Sequence, residues 1–239
     1  MKYVEVTFSD PASHLACDEA LLEICENSEE DGFLRVWEPE NYFVVVGYSN
    51  KVLTEVNVAP CEELQMPILR RFTGGGTVLQ GPGCLNYSLA VRNESVGIPV
   101  DLTESYRFVL GRHRQTLEKC VSEPIEIQGI SDLAVRGRKF SGNAQHRKRH
   151  CTLFHGSLLL DFDLSLIETC LPMPSKQPAY RHDRSHGMFL RNLGAAPADV
   201  RQALRAAWRA EEKVDKIPFE RIESLARQRY ARKDWNFKY

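Results

Sequence analysis

The chain has 239 residues, 43% hydrophobic and 26% charged, the proportions of a soluble globular protein with room for a sizeable core. A formal net charge of -1 gives no global field toward nucleic acid or membrane, no apolar run approaches the roughly 18 residues of a spanning helix, and MKYVEVTFSDP lacks a signal-peptide core. A cytoplasmic protein without nucleic-acid or membrane partners is expected, and seven scattered cysteines with no CxxC pair argue against a zinc site or redox dithiol.

The first helix is predicted from Cys17, Ala20, Leu21, Ile24 and Cys25, spaced i, i+3, i+4, i+7, i+8, with Pro11 just after Ser9-Asp10 marking its start. Strands are expected at 33–38, 42–47 and 67–71, the last ending at a glycine cluster. Residues 86–92 alternate, with Tyr87, Leu89 and Val91 on one face. A long helix follows through Tyr106, Val109, Leu110, His113, Leu117, Cys120 and Val121, and Asp101 with Glu104 resembles its capping box. Strand-like runs return at 125–128, 132–135, 139–141 and 152–160. Residues 172–189, with three prolines and several bases, read as a long loop of the lid type. Two helical stripes close the chain, one through Val200, Ala203, Leu204, Ala207 and Trp208, the other through Phe219, Ile222, Ala226 and Tyr230. A boundary near residue 196 separates a main domain, 1–196, from a short helical extension, 197–239. The mix predicts an α+β fold with a mixed or antiparallel central sheet flanked by helices.

Three segments carry chemistry. In Arg70-Arg71-Phe72-Thr73-Gly74-Gly75-Gly76-Thr77, consecutive glycines let the backbone approach a ligand and form an anion nest, and two arginines offer bidentate donors. A glycine-rich hairpin loop is the plainer alternative, and no GK[ST] follows to make a Walker loop. In Asp132-Leu133-Ala134-Val135-Arg136-Gly137-Arg138-Lys139, a tight turn through Gly137 hands Lys139 to the next strand, where an ammonium could face a phosphate; most lysines in turns are simply solvated. Ser141, Gly142 and Asn143 follow directly. In Phe154-His155-Gly156-Ser157, His155 shares a face with Leu153, Ser157 and Leu159, a place more often held by a satisfied core histidine.

Together and in this order, RRFTGGGTVLQGPGCLN, SDLAVRGRKFSGNA and FHGSLLLDFDL resemble the lipoate–protein ligase A family, within the biotin/lipoate ligase catalytic fold. HLACDEALL and YFVVVGYSN resemble the family's early helix and strand-to-glycine element, and the tail ESLARQRYARKDWNF resembles short archaeal-type members. The resemblance implies a class II synthetase-like core over 1–196 with the catalytic domain of that family. It implies ATP and lipoate as substrates, with formation of lipoyl-AMP and transfer of the acyl group to a lysine of an acidic lipoyl carrier domain. On the family pattern Lys139 meets the carboxylate and α-phosphate. Arg70, Arg71, Thr73, Gly74, Gly75, Gly76 and Thr77 line the acyl-adenylate pocket. Asn86, Ser141, Gly142, Asn143, His155 and Gly156 complete it, and Asp132 helps to hold Mg²⁺ brought with ATP. The sequence departs from the pattern at Gln80, Gly81 and Ser131, positions that bear on hydrogen bonding to the acyl group. Short members can also require a separate accessory subunit.

A runner-up is a cysteine-dependent octanoyl or lipoyl transferase of the same fold, which needs no ATP. Related transferases carry Cys-x-x-His-Gly. Here Cys151 lies one residue further from His155, a shift that turns a strand side chain to the other face. The basic run Arg147-Lys148-Arg149-His150 could nonetheless lower its thiol pKa. A second transferase class places its cysteine before the hairpin, where Gln128-Gly129-Ile130 holds none. A non-catalytic lipoyl-binding module is the third reading. The basic run is either a solvated turn or a dock for an acidic carrier.

Overall fold

The structure is a computed structural model describing residues 1–239. Eleven strands form two sheets: β1 (Lys2–Val4), β2 (Gly32–Trp37), β3 (Phe43–Val46), β4 (Ile68–Arg70), β5 (Val78–Gln80), β6 (Cys84–Arg92), β7 (Glu126–Gln128), β8 (Asp132–Val135), β9 (Arg138–Arg147), β10 (Cys151–Leu159) and β11 (Glu212–Lys213). The central sheet has the order β11-β1-β2-β6-β10-β9-β8-β7, and β4-β3-β5 form a small second sheet. Only β11-β1, β1-β2 and β3-β4 pair in parallel. This is the expected α+β architecture with a mixed central sheet.

Four longer helices cover it: α1 (Pro11–Asn27), α2 (Leu102–Leu117), α3 (Pro197–Trp208) and α4 (Phe219–Leu225). Asp10 caps α1 by accepting from Ser13 N at 2.9 Å, and Pro11 occupies the first turn, where no N–H is needed. Asp101 caps α2 by accepting from Glu104 N at 2.9 Å.

Alternation along the strands sends side chains to two cores. Leu34 and Val36 of β2 pack with Tyr87 and Leu89 of β6 against Val109 and Leu110 of α2 and Leu204 of α3. Phe33 and Trp37 face the other way, with Cys17 and Leu21 of α1 and Ile222 of α4. The small sheet sits over this second face and has its own core around Val44, Val46 and Leu79.

The structure has strands that the pattern of the sequence does not reveal. β1, β5 and β11 have two or three residues each, too few for alternation to register. The run expected at 139–141 continues to Arg147. The stretch 172–189 contains two single turns, Ala179–Arg181 and His186–Phe189, and buries Arg181 and His186. No helix is long and apolar enough to cross a membrane.

Candidate active site

A cavity of about 580 Å³ is lined by residues of both sheets, Val45, Val78 and Leu79 from the small one and Asn86, His155 and Ser157 from the central one. Strand register lays out its floor. Asp132 is beside Gly142, Gly142 beside Ser157, Ser157 beside Asn86 and Asn86 beside Trp37. A second row runs Ala144, His155, Ser88, Arg35. Neighbouring strands are about 4.8 Å apart, so the first row forms a trough five strands wide.

Lys139 enters this floor through a bulge. The β8–β9 turn has Arg136 at φ 52° and Gly137 at φ 65°, the doubly left-handed turn that matches strand twist. Pairing then slips: Leu133 faces Ser141 but Ala134 faces Lys139, leaving Phe140 as the extra residue. In regular register Lys139 would share the face of Leu133. The bulge instead brings it to the face of Asp132, and Phe140 goes fully into the core. The Lys139 ammonium lies 2.8 Å from Asp132 Oδ1. Tyr180 donates its hydroxyl to Asp132 Oδ2 at 2.8 Å. Burial first, and Asp132 second, hold the Tyr180 phenol above its ordinary pKa, so it stays a donor.

The triple-glycine turn forms another part of the lining. Gly75 has φ +93°, a conformation that suits glycine. Arg71 holds the turn from behind, donating to Gly74 O and Gly76 O, both at 2.7 Å through Nη2. Asn50 donates to Gly75 O at 3.2 Å. Thr73 Oγ1 and His155 Nε2 share a hydrogen bond of 2.7 Å. Burial, reinforced by Arg71, lowers the His155 pKa to about 3, so the ring is neutral at physiological pH. Deeper in, Gln80 donates to Ser157 Oγ and Ser157 to Asn86 Oδ1, each at 2.8 Å.

Thr73, Gly75, Gly76, Thr77, Asn86, Asp132, Lys139, Gly142 and His155 are thus gathered on one cavity. Arg71 lines it as well, with its donors turned to backbone carbonyls. Ser141, Asn143 and Gly156 reach it from the reverse side of the strands. Asn143 accepts from Tyr87 Oη at 2.5 Å and donates to Ser131 O at 2.7 Å. A Cβ on Gly156 would lie 2.0 Å from Asn143 Oδ1. Gly74 faces a different recess. Arg70 is outside the cavity: its guanidinium donates to the carbonyls of Gly47, Tyr48, Asn50, Trp235 and Asn236. Tyr180 and Asn50 are the site groups that sequence reading did not single out, and the bond from Gln80 to Ser157, though both residues are noted there, is not legible in it. The proline-rich stretch around Tyr180 was the only signal for the first of them.

Cys151 is fully buried, its thiol 3.0 Å from that of Cys25 in the core beside α1, and burial raises its pKa. Cys84 is the one cysteine lining the cavity. It donates to Gln80 Oε1 at 3.3 Å, and burial pushes its thiol up to about 12.

Residues 10–207 match the model of the lipoyl protein ligase A/B catalytic domain. The chain belongs to this family. Octanoyltransferase LipM of Brevibacillus brevis is 26% identical, over 99% of this chain and 98% of that protein. The fold is that of the bi-partite lipoate protein ligase of Thermoplasma acidophilum, solved in a study with its E2 lipoyl domain. That structure has a TM-score of 0.81 and 22% identity, with 99% of this chain and 95% of that one covered. It is also that of a lipoate-protein ligase A bound with ATP, at a TM-score of 0.78 and 22% identity, over 99% of this chain and 98% of that one.

Proposed function

We propose that this family member is an adenylating ligase: it joins lipoate to AMP at the expense of ATP and then transfers the acyl group to a lysine of a lipoyl carrier domain. The observation that carries the reading is Lys139, turned by the bulge onto the cavity face beside Asp132, in a cavity that the glycine turn also lines. In the first step a carboxylate oxygen of the acid attacks the α-phosphorus, and the bond to pyrophosphate breaks. Lys139 exchanges part of its attraction to Asp132 for the negative charge gathering on the α-phosphate oxygens. The N–H groups of the glycine turn supply further positive ends. In the second step the carrier amine attacks the acyl carbonyl, the bond to AMP breaks, and the amine loses its proton. Neutral His155, fixed by Thr73, lines the same cavity without adding charge.

Asp132 offers one carboxylate, which is what Mg²⁺ commonly takes from a protein when substrate phosphates fill its other positions. No group of three or more His, Cys, Asp or Glu side chains lies together as a cage, so this ion would come with the nucleotide. When bound it neutralises phosphate charge.

The LipM relatives favour the transferase as second reading. That chemistry needs a thiolate at the acyl group. Cys151 does not line the cavity, and Cys84 is held as a neutral thiol. Both facts support the ligase. Lipoate-dependent exchange of labelled pyrophosphate into ATP tests the choice. Lys139→Ala should lower exchange by about 100-fold or more, since losing one preorganised charge contact costs about 3–4 kcal/mol. Cys84→Ser and Cys151→Ser should retain it. ATP-independent acyl transfer abolished by either cysteine substitution would establish the transferase instead.

A further inference from the structure

On the far side of the glycine turn lies a second, open recess of about 570 Å³. Tyr48, Phe72 and Trp235 supply aromatic walls, and His146, Lys148 and Arg229 stand on its rim. Two segments distant in sequence meet here. Residues 146–150 carry three Arg or Lys and no acid, and residues 226–239 carry five against one acid, in a chain whose net charge is -1. Glu19 is the one acid in the recess lining, against Lys148 and Arg229 there and Lys238 beside them, so the recess keeps a net positive charge that the whole molecule does not have. Lys148, Arg149 and Lys238 take part in none of the ion pairs of this region, which join Arg221 to Glu23, Arg229 to Glu19 and Arg232 to Asp234. The hairpin tip is fixed in place, because Glu26 accepts from the backbone N–H of His150 and of Cys151.

The recess and the cavity are separated by one turn of chain. Phe72 lines both, Gly74 lines the recess, and Thr73 and Gly75 line the cavity. A side chain at Gly74 would meet nothing within 4 Å, so a partner can lie close against the backbone there. Resting on the ligase reading above, we propose that this recess is the docking surface for the acyl acceptor: an acidic protein surface that presents its lysine over Phe72 and Gly74 toward the activated acid. The opposed charges speed encounter and fix orientation. A single-stranded nucleic acid would fit the same charge, but it would need open aromatic faces on which to stack. The faces of Tyr48 and Trp235 are taken, which leaves no run of stacking rings. Lys238 Nζ stands 3.7 Å from the Tyr48 ring centre and 4.2 Å from that of Trp235, and Arg229 also covers Trp235, at 4.9 Å.

The test is calorimetric titration of the full chain with an unmodified lipoyl domain from the same organism, at low and high salt, beside pyrophosphate exchange. The double variant Lys148→Glu/Arg149→Glu lies outside the catalytic groups. It should bind the domain about tenfold more weakly, lose most of the salt dependence, and exchange pyrophosphate within about twofold of wild type. Equal binding by variant and wild type, salt-insensitive binding, or tighter binding of wild type to an oligothymidylate than to the domain would overturn the proposal. Should wild type bind the domain through these residues and yet show no exchange with any acid, the docking surface stands and the ligase reading falls.

Discussion

Lys139 shows how far a single residue can be read from sequence. A turn glycine followed by a lysine, with an aspartate at the start of the preceding strand, marks a hairpin that brings cation and carboxylate near each other. The face on which the cation emerges depends on one extra residue, Phe140, and a bulge has no signature in local periodicity. The two arginines differ for a related reason. Their bidentate donors suit an anion, yet those of Arg70 and Arg71 meet backbone carbonyls, and which carbonyls converge on an arginine is a property of the assembled chain. Tyr180 was hidden in a stretch without periodicity. Its hydroxyl fixes the Asp132 oxygen that does not face Lys139, so it is a positioning residue for the proposed adenylation. Tyr180→Phe keeps the ring against Phe189, 5.1 Å away, and removes one hydrogen bond to a charged group, worth about 1.5–3 kcal/mol. Turnover in the exchange assay should fall roughly 10- to 100-fold, beside a drop in melting temperature of about 3–12 °C from the lost bond itself. A lower melting temperature with unchanged turnover would reduce Tyr180 to a packing role.

Among elements, α1 and α2 were the plainest in the sequence, because each carries a long apolar stripe and a side-chain cap. The short strands were not, since their pairing is decided by distant partners: β1 pairs with β11, more than 200 positions away. His113 lies in the stripe of α2 and joins it to α3 by accepting from Trp208 Nε1 at 2.7 Å. Burial lowers its pKa to about 3, and those of His14 and His155 likewise. The unfolded chain takes up these protons near pH 6.5 and the folded chain does not. Stability from this source is therefore full above pH 6.5 and declines as pH falls toward 3. At pH 5 each such histidine removes about 2 kcal/mol. His113→Gln keeps an acceptor for Trp208 but cannot titrate. Denaturant melts at pH 7 and pH 5 should show a smaller loss in this variant than in wild type, by about 2 kcal/mol. An identical loss in the two proteins would mean that His113 is already protonated in the fold.

At the scale of the whole molecule, residues 230–236 are joined to the strand end that leads into the glycine turn. Arg70 links the 47–50 loop to the carbonyls of Trp235 and Asn236, and its own N–H donates to Asn236 Oδ1 at 2.9 Å. Trp235 Nε1 returns a bond to Arg70 O at 2.9 Å. The neighbouring Arg71 grips the glycine turn, so the tail and the cavity are held by two consecutive residues of one strand end. Trp235 also lines the proposed carrier dock, with Lys238 over its ring, so under the proposed second step one clamp would hold the surfaces that receive both partners. Asn236 is buried and serves both sides, accepting from Arg70 N and donating to Tyr230 O at 2.9 Å. Asn236→Ala leaves those two backbone groups without partners, at about 1–3 kcal/mol each. For a chain of this size each kcal/mol lowers the melting temperature by about 2–4 °C, so a drop of roughly 5–20 °C is expected by calorimetry. Below that transition the loosened 47–50 loop should weaken capture of the acid more than the chemistry, raising KM for lipoate with kcat nearly unchanged. A variant that melts early but keeps the wild-type KM would show that the clamp stabilises the fold without reaching the site.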